Sequence, residues 1–292
     1  MQSPRDEPCQ LQYRGDREWV GGCYDYFGGV GKLVPQSIKG YKSPSDITNE
    51  RAIRLLRTYF PKTKLLIGLR HPVLMLESFY NFRIQNGYEL PPLEKLHYRN
   101  LANQYAVSWS RADYHTALMF LGKTSLTAAE ELSLMPPPAR KQIQKQLDKR
   151  NNVTGDNGNN SKNNLLPPYI KVPNPVFLYD TAQLGDVDNP SRLDQFSQDL
   201  SNYLGLPKQL PPPPRHSPGK LLQNATLQAE RNAKKIRICD DRYIEQRRQL
   251  LQIGERAAKW ILDFFLPTRD VYVSNPEHFR ELLMGYSRDP CA

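Results

Sequence analysis

Long apolar runs are missing from this sequence. No stretch approaches the roughly 18 consecutive apolar residues of a membrane-spanning helix. The opening residues, Met1 to Pro8, lack the apolar core of a signal peptide. Cysteine is scarce: Cys9, Cys23, Cys239 and Cys291 lie far apart and form no CxxC pair, which argues against a bound metal. Their even number fits two disulfides in an oxidising compartment, or four thiols in a reducing one. Zinc-finger spacing, an aromatic RNP-like run and a dense Lys/Arg block are all absent, so nothing specific points to nucleic acid. A Walker loop fails as well. Gly28, Gly29 and Gly31-Lys32 suggest one, but Tyr26 stands where its first glycine is needed, and Leu33 where Ser or Thr should follow the lysine. Residues 1–39 therefore read as an irregular segment with Tyr24, Tyr26 and Phe27.

What is present is basic charge. The 40 Lys and Arg against 30 Asp and Glu give a net charge of +10, which favours anionic partners. A sulfated or uronic-acid glycan satisfies that charge as well as a nucleic acid does. The apolar fraction, 39%, is enough for a core, and one α/β domain is the expectation for 292 residues. Glycosylation sequons at Asn152, Asn159 and Asn224 give weak support for a secretory route.

The most informative stretch is 64–86. Leu65, Leu66, Ile67 and Leu69 form a short apolar run, expected to be a central strand of a parallel sheet, buried on both faces. Arg70 follows at the strand's end. His71 precedes Pro72 and is thereby pushed out of the helical region. From Val73 the pattern becomes helical, with Leu74, Ser78 and Phe82, and Met75 and Phe79, at helical spacing. Strand, turn and helix thus bring a guanidinium and a hydroxyl towards free helix N–H groups, a setting suited to an anion. The alternative is a solvated strand-end arginine and an ordinary surface serine.

Other elements follow the same logic. A helix is expected over 49–59, capped by Asp46 or Thr48 and ended by Pro61. Gly87 reads as the residue just past the end of the 73–86 helix. Residues 99–121 read as helical, with Tyr114 in the apolar set and His115 as a structural residue or acceptor contact. The Asn-rich tract at about 150–166 reads as an exposed or disordered insertion. Val176 to Tyr179 is the second strand, followed by a helix over Asn189–Leu206. A long helix is expected from Arg242 to Phe265, ahead of Asp270 to Val273.

Arg70-x-Pro72, with Ser78 eight residues after the arginine and aromatic Phe79 next, resembles the 3′-phosphate-binding segment of sulfotransferases that use 3′-phosphoadenosine 5′-phosphosulfate, PAPS. The resemblance implies that Arg70 and Ser78 hold the donor's 3′-phosphate. Met75 stands where a second arginine is frequent. Lys42-Ser43-Pro44 resembles the Glu-Lys-Ser/Thr-Pro-x-Tyr segment of Golgi-type carbohydrate sulfotransferases, which implies that Lys42 lies near the acceptor. Tyr41 replaces the glutamate, and the later aromatic is missing. Strand 176–179 with the helix ending Tyr203-Leu204-Gly205-Leu206 is similar to the passage after the donor site. Gly219-Lys220 matches a late basic loop that closes the nucleotide site.

The resemblance covers about 40–292 and implies a P-loop-NTPase-like, three-layer α/β fold around a central parallel sheet, with residues 1–39 outside it. It implies a sulfotransferase of the Golgi, acting without a metal on an anionic or neutral glycan rather than on nucleic acid. One part of the family pattern is not in the chain: the Pro-Lys-x-Gly-Thr-Thr-like 5′-phosphosulfate loop, and with it a clear catalytic base. The expectation is an N-terminally incomplete form, whose missing part would carry any membrane anchor, or a chain that has lost catalysis. Cys239 and Cys291 are a candidate disulfide, one of several connectivities that four cysteines allow.

Overall fold

The computed structural model describes residues 40, 46–48, 50–95, 112–135, 137, 140–141, 143–145, 172–186, 188–212 and 225–292. Residues 1–39, Lys42, the Asn-rich tract, Gly219 and Lys220 lie outside them. The elements run α1 (Glu50–Tyr59), β1 (Leu65–Leu69), α2 (Pro72–Gln85), α3 (Tyr114–Met119) and α4 (Ala128–Leu134), then β2 (Val176–Asp180), α5 (Pro190–Leu204) and α6 (Ala225–Ala233). They continue with α7 (Ile244–Trp260), a π-helical turn Ile261–Phe265, β3 (Val271–Tyr272) and α8 (Pro276–Met284). The fold is α/β, with a three-stranded parallel sheet in the order β1-β2-β3.

Local chemistry sets the boundaries. His71 leaves the helical region (φ −44°, ψ 124°) and Pro72 opens α2, where its missing N–H is no loss. At the other end Gly87 takes φ +80°. Its N–H donates to the Ile84 carbonyl and that of Tyr88 to Arg83, which closes the helix as a Schellman motif. Gly205, at φ +73°, ends α5. Thr127 and Glu130 form a capping box at α4. Asn174 ties β2 to α1: its amide donates to the Phe60 and Thr63 carbonyls at 2.6 and 2.7 Å.

The expectation that β1 is the doubly buried central strand is overturned. Among the described residues β1 is an edge strand, and β2 occupies the centre. Leu65, Ile67 and Leu69 face the main core, but Leu66 is 47% exposed on the other face. A run of leucines records apolarity without recording how many neighbours cover it. The buried stripe of α2 also differs from the expected one. Val73, Leu76, Phe79, Tyr80 and Ile84 are buried, whereas Phe82 is 59% exposed.

Helices cover both faces of the sheet. On one face Phe196 and Tyr203 of α5 pack on Phe177, with ring centroids 5.8 and 5.3 Å apart. On the other, α1, α3, α7 and α8 build the main core around Leu69, Val176 and Leu178. A second core joins α2 to α7 and to Ile236, Ile238 and Tyr243. The long C-terminal helix begins at Ile244 rather than Arg242, and its last turn widens to π geometry.

Cys239 and Cys291 are bridged, with Cα atoms 5.3 Å apart. The buried Arg247 braces this corner. It donates to Asp289 at 3.0 Å, to the Ile238 carbonyl at 2.8 Å and to the Asp240 carbonyl at 3.1 Å. The bridge closes 52 residues of chain, so the loop-entropy model assigns it about 4 kcal/mol. Cys291→Ser should lower unfolding stability by about 2–4 kcal/mol in urea titrations under non-reducing conditions; an unchanged midpoint would contradict this role.

Glu131 of α4 is fully buried. The Thr124 hydroxyl donates to one of its oxygens, and the other has no partner among the described residues. Burial, opposed by the Thr124 bond, pushes its carboxyl up to about 7. The folded chain therefore keeps, between the ordinary value of 4.5 and about 7, a proton that the unfolded chain releases. Stability falls as pH rises through that window. Glu131→Gln removes this loss, so between pH 4.5 and 8 the variant should gain up to about 3 kcal/mol relative to the parent. Urea unfolding at the two pH values measures it, and parallel pH slopes would refute it.

Candidate functional site

In open α/β sheets ligands collect beyond the carboxyl ends of the strands. Here β1 ends at Leu69, paired with Asp180 at the end of β2, and Arg70 follows directly. The Arg70 backbone is held from both sides. Its N–H donates to the Tyr114 hydroxyl oxygen at 3.0 Å, and that hydroxyl donates to the Arg70 carbonyl at 2.7 Å. Tyr114 is buried on α3, and burial drives its phenol well above the ordinary range. The Arg70 guanidinium is different. Its residue is half-buried, and among the described residues it makes no hydrogen bond or ion pair.

Ser78 sits in the second turn of α2, half-buried, on the side away from the helix's buried stripe. Its hydroxyl likewise has no partner among the described residues. Arg70 and Ser78 thus belong to one strand–turn–helix unit, and both polar groups are available. The His71 side chain does not cap α2. Lys42, Gly219 and Lys220, the other expected ligand residues, lie outside the described residues.

A buried polar cluster stands behind Arg70. The Asp180 carboxylate accepts from the Ala182 N–H at 2.7 Å and from the Tyr286 hydroxyl. Burial raises its pKa, against the pull of these bonds and of the His71 and Arg70 charges. Burial also lowers the pKa of His71. The Nε2 of His71 faces the Arg288 carbonyl at 3.0 Å and so carries the ring proton. The Tyr286 ring meets His71 edge-on at 5.6 Å and lies 6.2 Å from Tyr114. The cluster holds the turn, and beside it the Arg70 guanidinium is unpaired among the described residues.

Tyr114 and Tyr286 were not legible as site residues. The available signal was that a buried tyrosine hydroxyl must find a polar partner, and main-chain groups at strand ends are natural ones. His115 is buried and stacked on Trp260 at 4.6 Å, with burial bringing its pKa down to about 4. Its position is structural. Among the described residues no cluster of His, Cys, Asp or Glu could hold a metal ion, and no helix is long and apolar enough to cross a membrane.

The geometry defines an α/β domain with a free arginine at the edge of a parallel sheet. Compared with known proteins, the chain matches no family model, no curated protein and no solved structure.

Tyr114→Phe strips the Arg70 N–H and carbonyl of their shared partner in a buried setting. It should cost about 1–3 kcal/mol of stability in thermal or urea unfolding. A change below about 0.5 kcal/mol would mean that the hydroxyl does not hold the turn.

Proposed function

We propose that the chain binds 3′-phosphoadenosine nucleotides at the carboxyl edge of its sheet and uses PAPS to sulfate a carbohydrate acceptor. Arg70 and Ser78 hold the 3′-phosphate; Gly219 and Lys220 close over the nucleotide, and Lys42 lies at the acceptor. The single observation that carries this reading is the Arg70 guanidinium: it has no partner among the described residues although its backbone is bonded on both sides. With its backbone pinned at the strand end, the unpaired guanidinium fork is available for two-pronged contact with a phosphate.

The architecture that goes with this reading is a three-layer, P-loop-NTPase-like sheet. Parallel strands with helices on both faces support it. The Cys239–Cys291 bridge supports an oxidising compartment such as the Golgi lumen. In the reaction an acceptor hydroxyl or amine attacks sulfur in line. The bond from sulfur to the bridging phosphate oxygen breaks, the acceptor proton passes to a base, and 3′-phosphoadenosine 5′-phosphate leaves. Cationic groups stabilise the departing phosphate.

A second reading is a non-catalytic nucleotide- or glycan-binding module on the same fold. It is favoured by the engagement of Asp180 with Tyr286 and Ala182, and of His71 with Arg288. Nucleotide binding without turnover in a radiolabelled-sulfate assay would select it.

Arg70→Ala should weaken binding of 3′-phosphoadenosine 5′-phosphate about tenfold or more in calorimetry, the equivalent of about 1.4 kcal/mol. An unchanged affinity rejects the assignment of Arg70, and with it the sulfuryl-donor reading.

A further inference from the structure

A groove of about 750 Å³ opens between α5 and the β3 side of the sheet. Its size lies within the roughly 300–1,000 Å³ range of small-ligand sites. Lys64 and Pro175, which line it, directly precede β1 and β2. It therefore lies at the opposite ends of those strands from Arg70. We infer that this groove is a saccharide-binding site, separate from the nucleotide site and independent of that reading.

Two aromatic rings form its apolar wall. Tyr272 is 48% exposed although it lies in a strand, and its ring centroid is 5.6 Å from that of Tyr203 at an angle of 55°. Tyr203 is fixed, because its hydroxyl lies 2.7 Å from the Pro175 carbonyl and 3.1 Å from that of Leu65. An exposed aromatic face against an open groove suits the C–H face of a pyranose ring, which is apolar and flat.

The polar wall suits hydroxyl groups. Asp199 accepts from the Ser274 hydroxyl and from the Gln195 amide, each at 2.7 Å, so its carboxylate is held in place with lone pairs to spare. Gln195 spends an amide hydrogen on that bond, and its carbonyl oxygen has no partner among the described residues. Asn202 accepts from Gln198 at 2.9 Å, and its NH₂ has no partner among the described residues. The Lys64 ammonium, 5.7 Å from the centre of the Tyr203 ring, adds a further donor. Acceptors and donors therefore line the same wall, and a sugar hydroxyl both donates and accepts. A phosphate would meet one ammonium and, in the same groove, a carboxylate. A proline-rich peptide offers carbonyl oxygens but few N–H donors, so it would leave the Asp199 and Gln195 acceptors unmatched.

The test uses the full chain on a printed array of neutral and acidic glycans, with affinities for bound glycans then measured in solution. Wild type should bind at least one glycan class. Tyr272→Ala and Asn202→Ala should each weaken binding about tenfold, Tyr272→Phe should retain it, and Arg70→Ala should leave it unchanged. Both alanine substitutions are at exposed positions, and circular dichroism checks that the variants fold. Absence of binding to every glycan overturns the inference. So does binding insensitive to Tyr272→Ala and Asn202→Ala, or binding that is lost with Arg70→Ala. A proline-rich peptide that occupies the groove in place of any glycan overturns it as well.

Discussion

The close passage of α7 over the start of α2 is the constraint on which this structure depends. Gly254 makes it possible. A β carbon there would come within 2.9 Å of both the Pro72 ring and the Tyr286 carbonyl oxygen. Pro72 begins α2, two residues after Arg70, and Tyr286 bonds Asp180 at the end of β2. The same helix is a wall of both cores, giving Ala257, Ala258 and Trp260 to one and Leu250 and Ile253 to the other. One glycine thus sets the spacing among the turn that carries Arg70, the C-terminal segment and two separate packed interiors.

From this passage follows the division of labour at the sheet edge. The groups behind Arg70 are used up in holding one another: Tyr114 on the arginine's own backbone, Tyr286 on Asp180, and His71 on the Arg288 carbonyl. Leaving any of these buried groups unpaired would be costly. The side chain they support is left free. A cation whose main chain is pinned and whose guanidinium has no partner among the described residues is suited to an anion. The groove beside α5 is built differently, from aromatic faces and mixed amide and carboxylate groups. The two regions therefore present different chemistry.

Local signals carried much of the fold. Proline after His71 and glycine at 87 and 205 act within a few residues, and the helices they bound begin and end where that chemistry requires. The strand at 176–180 and the helix after it were equally legible. The buried stripe of α2 was not. That helix carries Leu74, Met75 and Phe82 as well as Val73, Leu76 and Phe79, so it is apolar on several sides and its periodicity does not select one. β1 misled for a related reason. A leucine-rich strand is equally apolar at the edge of a sheet and at its centre, and only its neighbours decide how much of it is covered. Helices α4, α6 and α8 carried weaker signals and were not anticipated. In the candidate site the strand–turn–helix unit that carries Arg70 and Ser78 was legible, whereas the roles of Tyr114 and Tyr286 were not, since each reaches its partner across a long sequence separation.

By itself the sequence determined the strand–proline–helix unit around Arg70, its net positive charge and the ends of the principal helices, because each depends on neighbours along the chain or on composition alone. Tertiary structure decided which strand is central, which helix face is buried, which two cysteines meet and which tyrosines hold the arginine's backbone. Those outcomes rest on contacts between residues distant in sequence, and no local preference encodes which distant surface will arrive.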